Sequence, residues 1–565
     1  MTFANLKGAA SSAAVLAALL AFAGPAAAGE GFPSDELLVS RTQFPANFSA
    51  VVAGATQLPP GCVGTACKLA TAGSTFPLVF NNAKTDGSFG LTAKIVLDRY
   101  SREGHRLGAI EVPNSADPNV TSTSDQMVAS FSSKSELALN LSADGRYLTF
   151  TGYLAPIGAI DVSNSNTPGV VDATNPVTGA YYRVVATMDA RGRFQFTKTN
   201  AYSGNNSRAV LFENTGGLNE FLMSGNAGNG GNPQPNSVIL AAGAQIETPA
   251  TGSLANQPDP GQPTPFASFN ITQLGLVHDK IGKDTNFRGL TTFNNVVYFT
   301  KGSGGNGINT VYFVDTSGLD TLGRPLACPN GVGVPAAGAA LPSAPLAYDP
   351  TVLSTKGVYP YNMCVLKGFP STLASSTTPP PAFPFGIWFA NATTLYVADE
   401  GDGSNAYANG AYTAAAASKT AGLQKWVYSA GQWTLAYTLQ AGLNLGTPYT
   451  VANYPTGNNT LTNLPWAPAA DGLRNITGRV NRDGTATIFA VTSTVSGSGD
   501  QGADPNQLVS ITDVVSATTP PASESFTTLR TAKFGQALRG VSFAPGAQAR
   551  GDDDDRWQTR SRWED

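Results

Sequence analysis

"VVYFTKGSGGNGINTVYFVD", Val296 to Asp315, holds Gly302, Gly304 and Gly307, a G-x-G-x-x-G placed directly after an apolar, strand-like run. In a dinucleotide-binding unit such glycines let the chain turn tightly out of a strand and into a helix, whose N-terminal N–H groups receive the pyrophosphate. Here the segment after the glycines, Thr310-Val311-Tyr312-Phe313-Val314, is as β-branched and aromatic as Val296-Val297-Tyr298-Phe299-Thr300 before them. Both flanks read as strands and the glycines as a hairpin loop, which weighs against a Rossmann unit.

Working outward, the same hairpin recurs. "SELALNLSADGRYLTFTGY" (Ser135 to Tyr153), "SRAVLFENTGGLNEFLMSG" (Ser207 to Gly225), "FRGLTTFNNVVYFTKG" (Phe287 to Gly302), "FPFGIWFANATTLYVADEG" (Phe383 to Gly401) and "LRNITGRVNRDGTATIFAVTS" (Leu473 to Ser493) each pair a strand, a turn and a second strand. A sixth copy, "LRGVSFAP" (Leu538 to Pro545), stops after one strand. Further strand-like pieces follow the first five copies, for example "LQKWVYS" and "WTLAYTL" after Gly401, giving four strands per unit. Repeated four-stranded antiparallel units are the sequence form of a β-propeller. The strands missing from the sixth copy lie at the other end of the chain, in "ELLVSRT", "AKIVLDRYS" and "RLGAIEVP". The expected fold is all-β, a six-bladed propeller closed by sharing one blade between N- and C-terminal strands. Seven blades is the alternative, should the long stretch from Leu319 to Lys367 hold another.

Composition agrees with many short strands and turns: 61 glycines and 38 prolines among 565 residues. With 34 basic and 38 acidic residues the formal charge is −4, which implies no basic surface for nucleic acid. Residues 1–28 have the parts of a secretory signal peptide, with Lys7, the apolar run Ala13 to Ala23, and Ala26-Ala27-Ala28 before the expected cleavage. No later stretch approaches the roughly 20 apolar residues of a transmembrane helix, so a secreted or periplasmic, monomeric protein is expected. Residues 29–545 form one propeller domain with loop insertions, and 546–565, containing "GDDDDRWQTRSRWED", read as a disordered tail. In an exported chain the four cysteines point to two disulfides, Cys62 with Cys67 and Cys328 with Cys364 by local pairing.

The combination of "IVLDRYSREGHRLGAIEVP", "LSADGRYLTFTGY", "LYVADEG", "GLQKWVY" and "LRGVSFAP" resembles a group of secreted bacterial β-propeller proteins, over about Lys94 to Pro545. The resemblance implies the fold and no activity. The cysteine-bearing insertions and the tail depart from it.

Chemistry has few candidates. The two histidines, His105 and His278, stand near no recognisable catalytic partner, and no G-x-S-x-G elbow occurs. The six tryptophans have no repeated context, which disfavours a quinone cofactor. Asp399, Glu400 and Asp402 in "ADEGDGSN" place three carboxylates on one loop, hard oxygen ligands of the kind Ca²⁺ accepts, although the spacing is not that of an EF-hand. The aligned position opening the innermost strand is Glu136, Arg208, Arg288, Phe385, Arg474 and Arg539 in turn. In a propeller this position forms a ring at one mouth of the channel. Two readings follow: a funnel that binds an anion through guanidinium forks, or a brace between blades with Glu136 as one partner. The loops after the second strands lie at the same face, so the expected function is binding of an anionic small molecule or an extracellular polymer or protein there. The alternative is an extracytoplasmic, hydrolase-like enzyme using a cation on the Asp399 loop.

Overall fold

The computed structural model describes residues 32–33, 35–44, 92–118, 126–130, 136–159, 182–199, 201–202, 206–226, 243–247, 286–302, 307–314, 363–376, 382–459, 462–497 and 504–546, with a few shorter pieces between. Six sheets make the six blades of a propeller. Blade 1 runs Gln536–Phe543, Leu37–Gln43, Lys94–Tyr100, Arg106–Glu111 from the inside outward, so its first strand comes from the far end of the chain. Blade 2 has Asn140–Leu141, Tyr147–Tyr153, Arg183–Asp189 and Phe194–Thr199, with Ala255–Asn256 parallel at its outer edge. Blade 3 has Ser207–Glu213, Glu220–Gly225, Ala244–Glu247 and Ala267–Phe269. Blade 4 has Leu290–Phe293, Val296–Lys301, Thr310–Val314 and Met363–Leu366, with Val332–Gly333 outside. Blade 5 has Pro384–Asn391, Thr394–Asp399, Gly422–Ser429 and Gln432–Leu439, and blade 6 has Ala469–Val480, Thr485–Val495, Gln507–Val514 and Thr527–Thr531.

The opening stretch shows why these residues form a blade. Val296–Lys301 and Thr310–Val314 pair antiparallel, and every one of their residues is buried. Side chains alternate between faces along a strand. Val296, Tyr298, Val311 and Phe313 pack toward blade 5, while Val297, Phe299, Tyr312 and Val314 pack toward blade 3. A strand with a blade on each side needs apolar residues at every position, hence the unbroken run. The turn before it is Asn294-Asn295, with φ of 48° and 58°. Two left-handed residues match the twist of a tight hairpin, and Asn tolerates that region.

An apolar cluster sits between each blade and the next around the whole ring, including one that joins blade 6 to blade 1 through Leu37, Val39, Phe489, Val491, Leu538 and Phe543. The innermost strands converge on an axis: a cavity of about 230 Å³ takes a residue from every blade, Ser542, Asn140, Leu211, Thr292, Trp388 and Thr477. The outermost strands, such as Arg106–Glu111, are largely exposed. None of the described helices is long and apolar enough to cross a membrane. Buried Cys364 is disulfide-bonded. Cys62, Cys67 and Cys328 lie outside the described residues, as do the leader-like segment 1–28, His278 and the tail beyond 546, so the expected cysteine pairing is not placed.

Candidate functional site

Just after the aligned positions neighbouring innermost strands pack tightly enough to dictate sequence. A side chain at Gly289 would collide with the Phe385 carbonyl, one at Gly386 with the Arg474 carbonyl, and one at Gly540 with the Leu137 carbonyl. Only glycine lets neighbouring innermost strands approach this closely after the ring position. Thr300 Oγ1 donates to the Phe385 carbonyl at 2.5 Å, and Ser224 Oγ to the Arg288 carbonyl at 2.7 Å, stitching each blade to the next. Asn475 Oδ1 accepts the Val541 N–H at 2.7 Å, a link from blade 6 to blade 1.

The ring side chains are largely buried. Glu400, at the end of blade 5's second strand, reaches Arg288 at 3.4 Å and Arg474 at 3.1 Å. One carboxylate thus ties blades 4, 5 and 6, and it comes from the blade whose own ring position is Phe385. Arg288 also lies over the Phe385 ring at 5.8 Å. Burial, then the neighbouring positive charge of Arg474, outweigh Glu400 and hold the Arg288 pKa below its ordinary value. Glu136 is engaged elsewhere: it takes Arg183 at 2.5 Å and the Tyr153 hydroxyl at 2.9 Å, all within blade 2. Arg208 and Arg539 are buried at equivalent positions, 4% and 5% exposed. For Arg288 and Arg474 the geometry is that of a brace.

The three loop carboxylates expected to hold Ca²⁺ turn to separate partners. Asp399, fully buried, accepts the Phe383 N–H at 2.9 Å, the Gly401 N–H at 3.0 Å and the Gln424 amide at 3.2 Å. Glu400 holds the two arginines, and Asp402 accepts the Ser404 N–H at 2.9 Å. Among the described residues no group of three His, Cys, Asp or Glu side chains is arranged to hold a metal ion. His105 is an exposed turn residue.

A residue that the sequence did not mark stands beside this loop. Asp471 falls in a β-bulge, where the register with the next strand passes from Ala470 to Gly472. A bulge re-aims the extra side chain, and bulges recur next to functional sites. Asp471 is 2% exposed. Its Oδ2 accepts the Gly403 N–H at 2.9 Å, and its Oδ1 is buried without a hydrogen-bond partner. Gly401, at φ +80°, is needed here because any side chain would collide with the Asp471 carboxyl group. A cavity of about 340 Å³ opens beside it, lined by Phe383, Gly401, Asp402, Ala414, Ala415 and Thr420 among others. Its far wall is Thr413–Ala417, the one α-helix among the described residues. The alanine-rich "AYTAAAASK" was the available sequence signal for this insertion.

Burial pushes the Asp471 carboxyl up to about 7, offset in part by the Gly403 N–H and helped by the charges of Asp402, Glu400 and Asp399. Burial likewise raises Asp399 to about 6. A carboxyl whose folded pKa is raised gives stability that is complete below its unfolded pKa and is lost as pH rises through the folded one. Asp471→Asn removes that loss. Its effect on unfolding free energy is expected to be about 1–3 kcal/mol more favourable near pH 8 than near pH 5, as read by denaturant titration at each pH. An effect that did not change with pH would show that Asp471 does not carry this penalty.

No protein-family model matches the chain, and no curated protein matches it.

Proposed function

We propose that this propeller is a binding protein of the exported compartment, taking its ligand on the loop-rich face in the cavity between blades 5 and 6. What supports the reading is a single observation: a cavity of about 340 Å³ lined in part by the buried Asp471, one carboxylate oxygen of which no group among the described residues satisfies. Clefts of this size with a few fixed polar groups are the usual form of a small-molecule seat. Burying an unsatisfied acceptor costs stability, and that cost is recovered when a ligand supplies the donor. Arg288 and Arg474, fixed by Glu400, give the seat a rigid neighbour.

The test is a thermal-shift screen of small molecules against the purified chain and against Ala414→Trp, which fills the cavity. Compounds that raise the wild-type melting temperature and lose the effect in the variant support the reading; stabilising compounds indifferent to Ala414→Trp would place binding elsewhere. The second reading, an anion over the ring, is favoured by the recurrence of arginine at four equivalent positions, 208, 288, 474 and 539. It requires citrate or pyrophosphate to bind the wild type and to bind Arg539→Gln less well. The enzyme alternative rested on a cation at Asp399, Glu400 and Asp402, whose carboxylates face separate partners.

A further inference from the structure

The cavity is lined in part by Asp471, whose Oδ2 already accepts the Gly403 N–H while its buried Oδ1 has no hydrogen-bond partner among the described residues. Asp402 lines the same space, and beyond the cavity lie Asp399 and Glu400. Glu400 is offset by Arg288 and Arg474, but Asp402 and Asp471 at the lining, with Asp399 behind them, favour a positive group over a negative one. The rest of the lining is apolar or small: Phe383, Ala414, Ala415 and Ala417. Lys419 is the one cation among the described residues of the lining, and it is exposed, so its ammonium has solvent available.

Resting on the reading that this cavity is a binding seat, we propose that its ligand is a small organic cation, an alkyl ammonium whose N–H donates to Asp471 Oδ1 while its carbon stem lies against Phe383 and the helix alanines. A divalent metal fits less well. Ca²⁺ takes six to eight oxygens, whereas Asp399 and Glu400 are spent on backbone N–H groups and arginines. A neutral alcohol would satisfy the hydrogen bond and do nothing to offset the cost of ionising the buried Asp471 carboxyl. An ammonium supplies both, and charge-assisted hydrogen bonds are about twice as strong as neutral ones.

The experiment uses the full chain, dialysed and titrated by calorimetry with propylammonium chloride, 1-propanol and calcium chloride in turn. Propylammonium is expected to bind more tightly than 1-propanol, and Asp471→Asn is expected to weaken it by at least about tenfold, the loss that follows removal of a charge-assisted bond. Ala414→Trp, which leaves the carboxylate in place, should abolish binding of both organic probes. The melting curve of each variant, taken beside the titration, separates lost binding from lost fold. Equal binding of propylammonium and 1-propanol, both blocked by Ala414→Trp, would overturn the cation while leaving the seat. No organic probe binding, or binding indifferent to Ala414→Trp, would sink the seat itself. Calcium binding abolished by Asp471→Asn, without propylammonium binding, would replace the proposal with a metal site.

Discussion

Deleting Gln536–Pro545 is expected to leave a chain that aggregates or fails to fold, although it removes under a fiftieth of the sequence. Gln536–Phe543 is the innermost strand of blade 1 and pairs with Leu37–Gln43 along its length, from Phe543 opposite Leu37 to Gln536 opposite Gln43. Its apolar side chains Leu538, Val541 and Phe543 are part of the cluster between blades 6 and 1. At about 1.5–3 kcal/mol for each fully buried side chain, those three alone approach the total stability of an ordinary domain, about 5–15 kcal/mol. Asn506 would lose both of its bonds to Leu538, whose N–H its Oδ1 accepts at 2.7 Å and to whose carbonyl its Nδ2 donates at 2.9 Å, and would keep only the Thr492 carbonyl at 2.8 Å. The deletion also bares the edge of Leu37–Gln43, and an open edge invites pairing with another chain. Size-exclusion chromatography and circular dichroism of the truncated protein decide the matter. A monomer with the wild-type melting temperature would refute the role given to this strand. Removing only residues from Gly551 onward should change neither measurement.

The middle strands were legible because both of their faces bury apolar groups, so unbroken β-branched and aromatic runs such as Val296–Thr300 carry their structure in their composition. The ring position was legible because repetition aligns Arg208, Arg288, Arg474 and Arg539 without any knowledge of contacts. Their partners were not. Glu400 lies 112 residues after Arg288 and 74 before Arg474, and it belongs to a different structural position of its blade. Arg183 meets Glu136 across blade 2 from the third strand, where a lone arginine in "YYRVVATMD" looks like an edge residue. Contacts between non-equivalent positions follow from the geometry of closure, and no sequence period encodes them. Asp471 was hidden for a local reason: "ADG" reads as a routine hairpin turn, whereas the chain there is in a strand and the extra residue is a bulge. The signal was the long, small-residue approach "APAADGL" before the aligned Arg474.

Lys425→Met is expected to cost about 3–5 kcal/mol at neutral pH, the usual result of stripping one partner from a buried ion pair. Lys425 Nζ lies 2.8 Å from Asp513 Oδ2, and neither side chain has any exposed surface. The ammonium also donates to the Tyr437 hydroxyl at 2.8 Å and the Val514 carbonyl at 2.6 Å, while Asp513 accepts the hydroxyls of Tyr437, at 2.6 Å, and Tyr396. This network fastens blade 5 to blade 6 beneath the cluster of Tyr396, Leu423, Leu439, Ile488 and Ile511. Methionine fills most of the lysine's volume, so the loss reports the uncompensated carboxylate more than a void. Burial alone would raise the Asp513 pKa, but the groups around it, Glu524, Lys425, Tyr396 and Tyr437, hold it below 3.8. A depressed carboxyl pKa gives stability that is present above the unfolded value, near 4, and is lost as pH falls through the folded one. In Lys425→Met that carboxylate no longer gains from ionising, so the gap between variant and wild type should shrink as pH drops below about 4. Glu524, pushed up to about 7 by burial and by the neighbouring Asp513 carboxylate, acts in the opposite sense, its contribution fading as pH rises through that value. Denaturant unfolding of both proteins at neutral and acid pH checks the sign as well as the size. A loss under about 1 kcal/mol at pH 7 would mean that water reaches the pair, as it does at exposed salt bridges. A gap that widened on acidification would mean that Asp513 is not the group Lys425 serves.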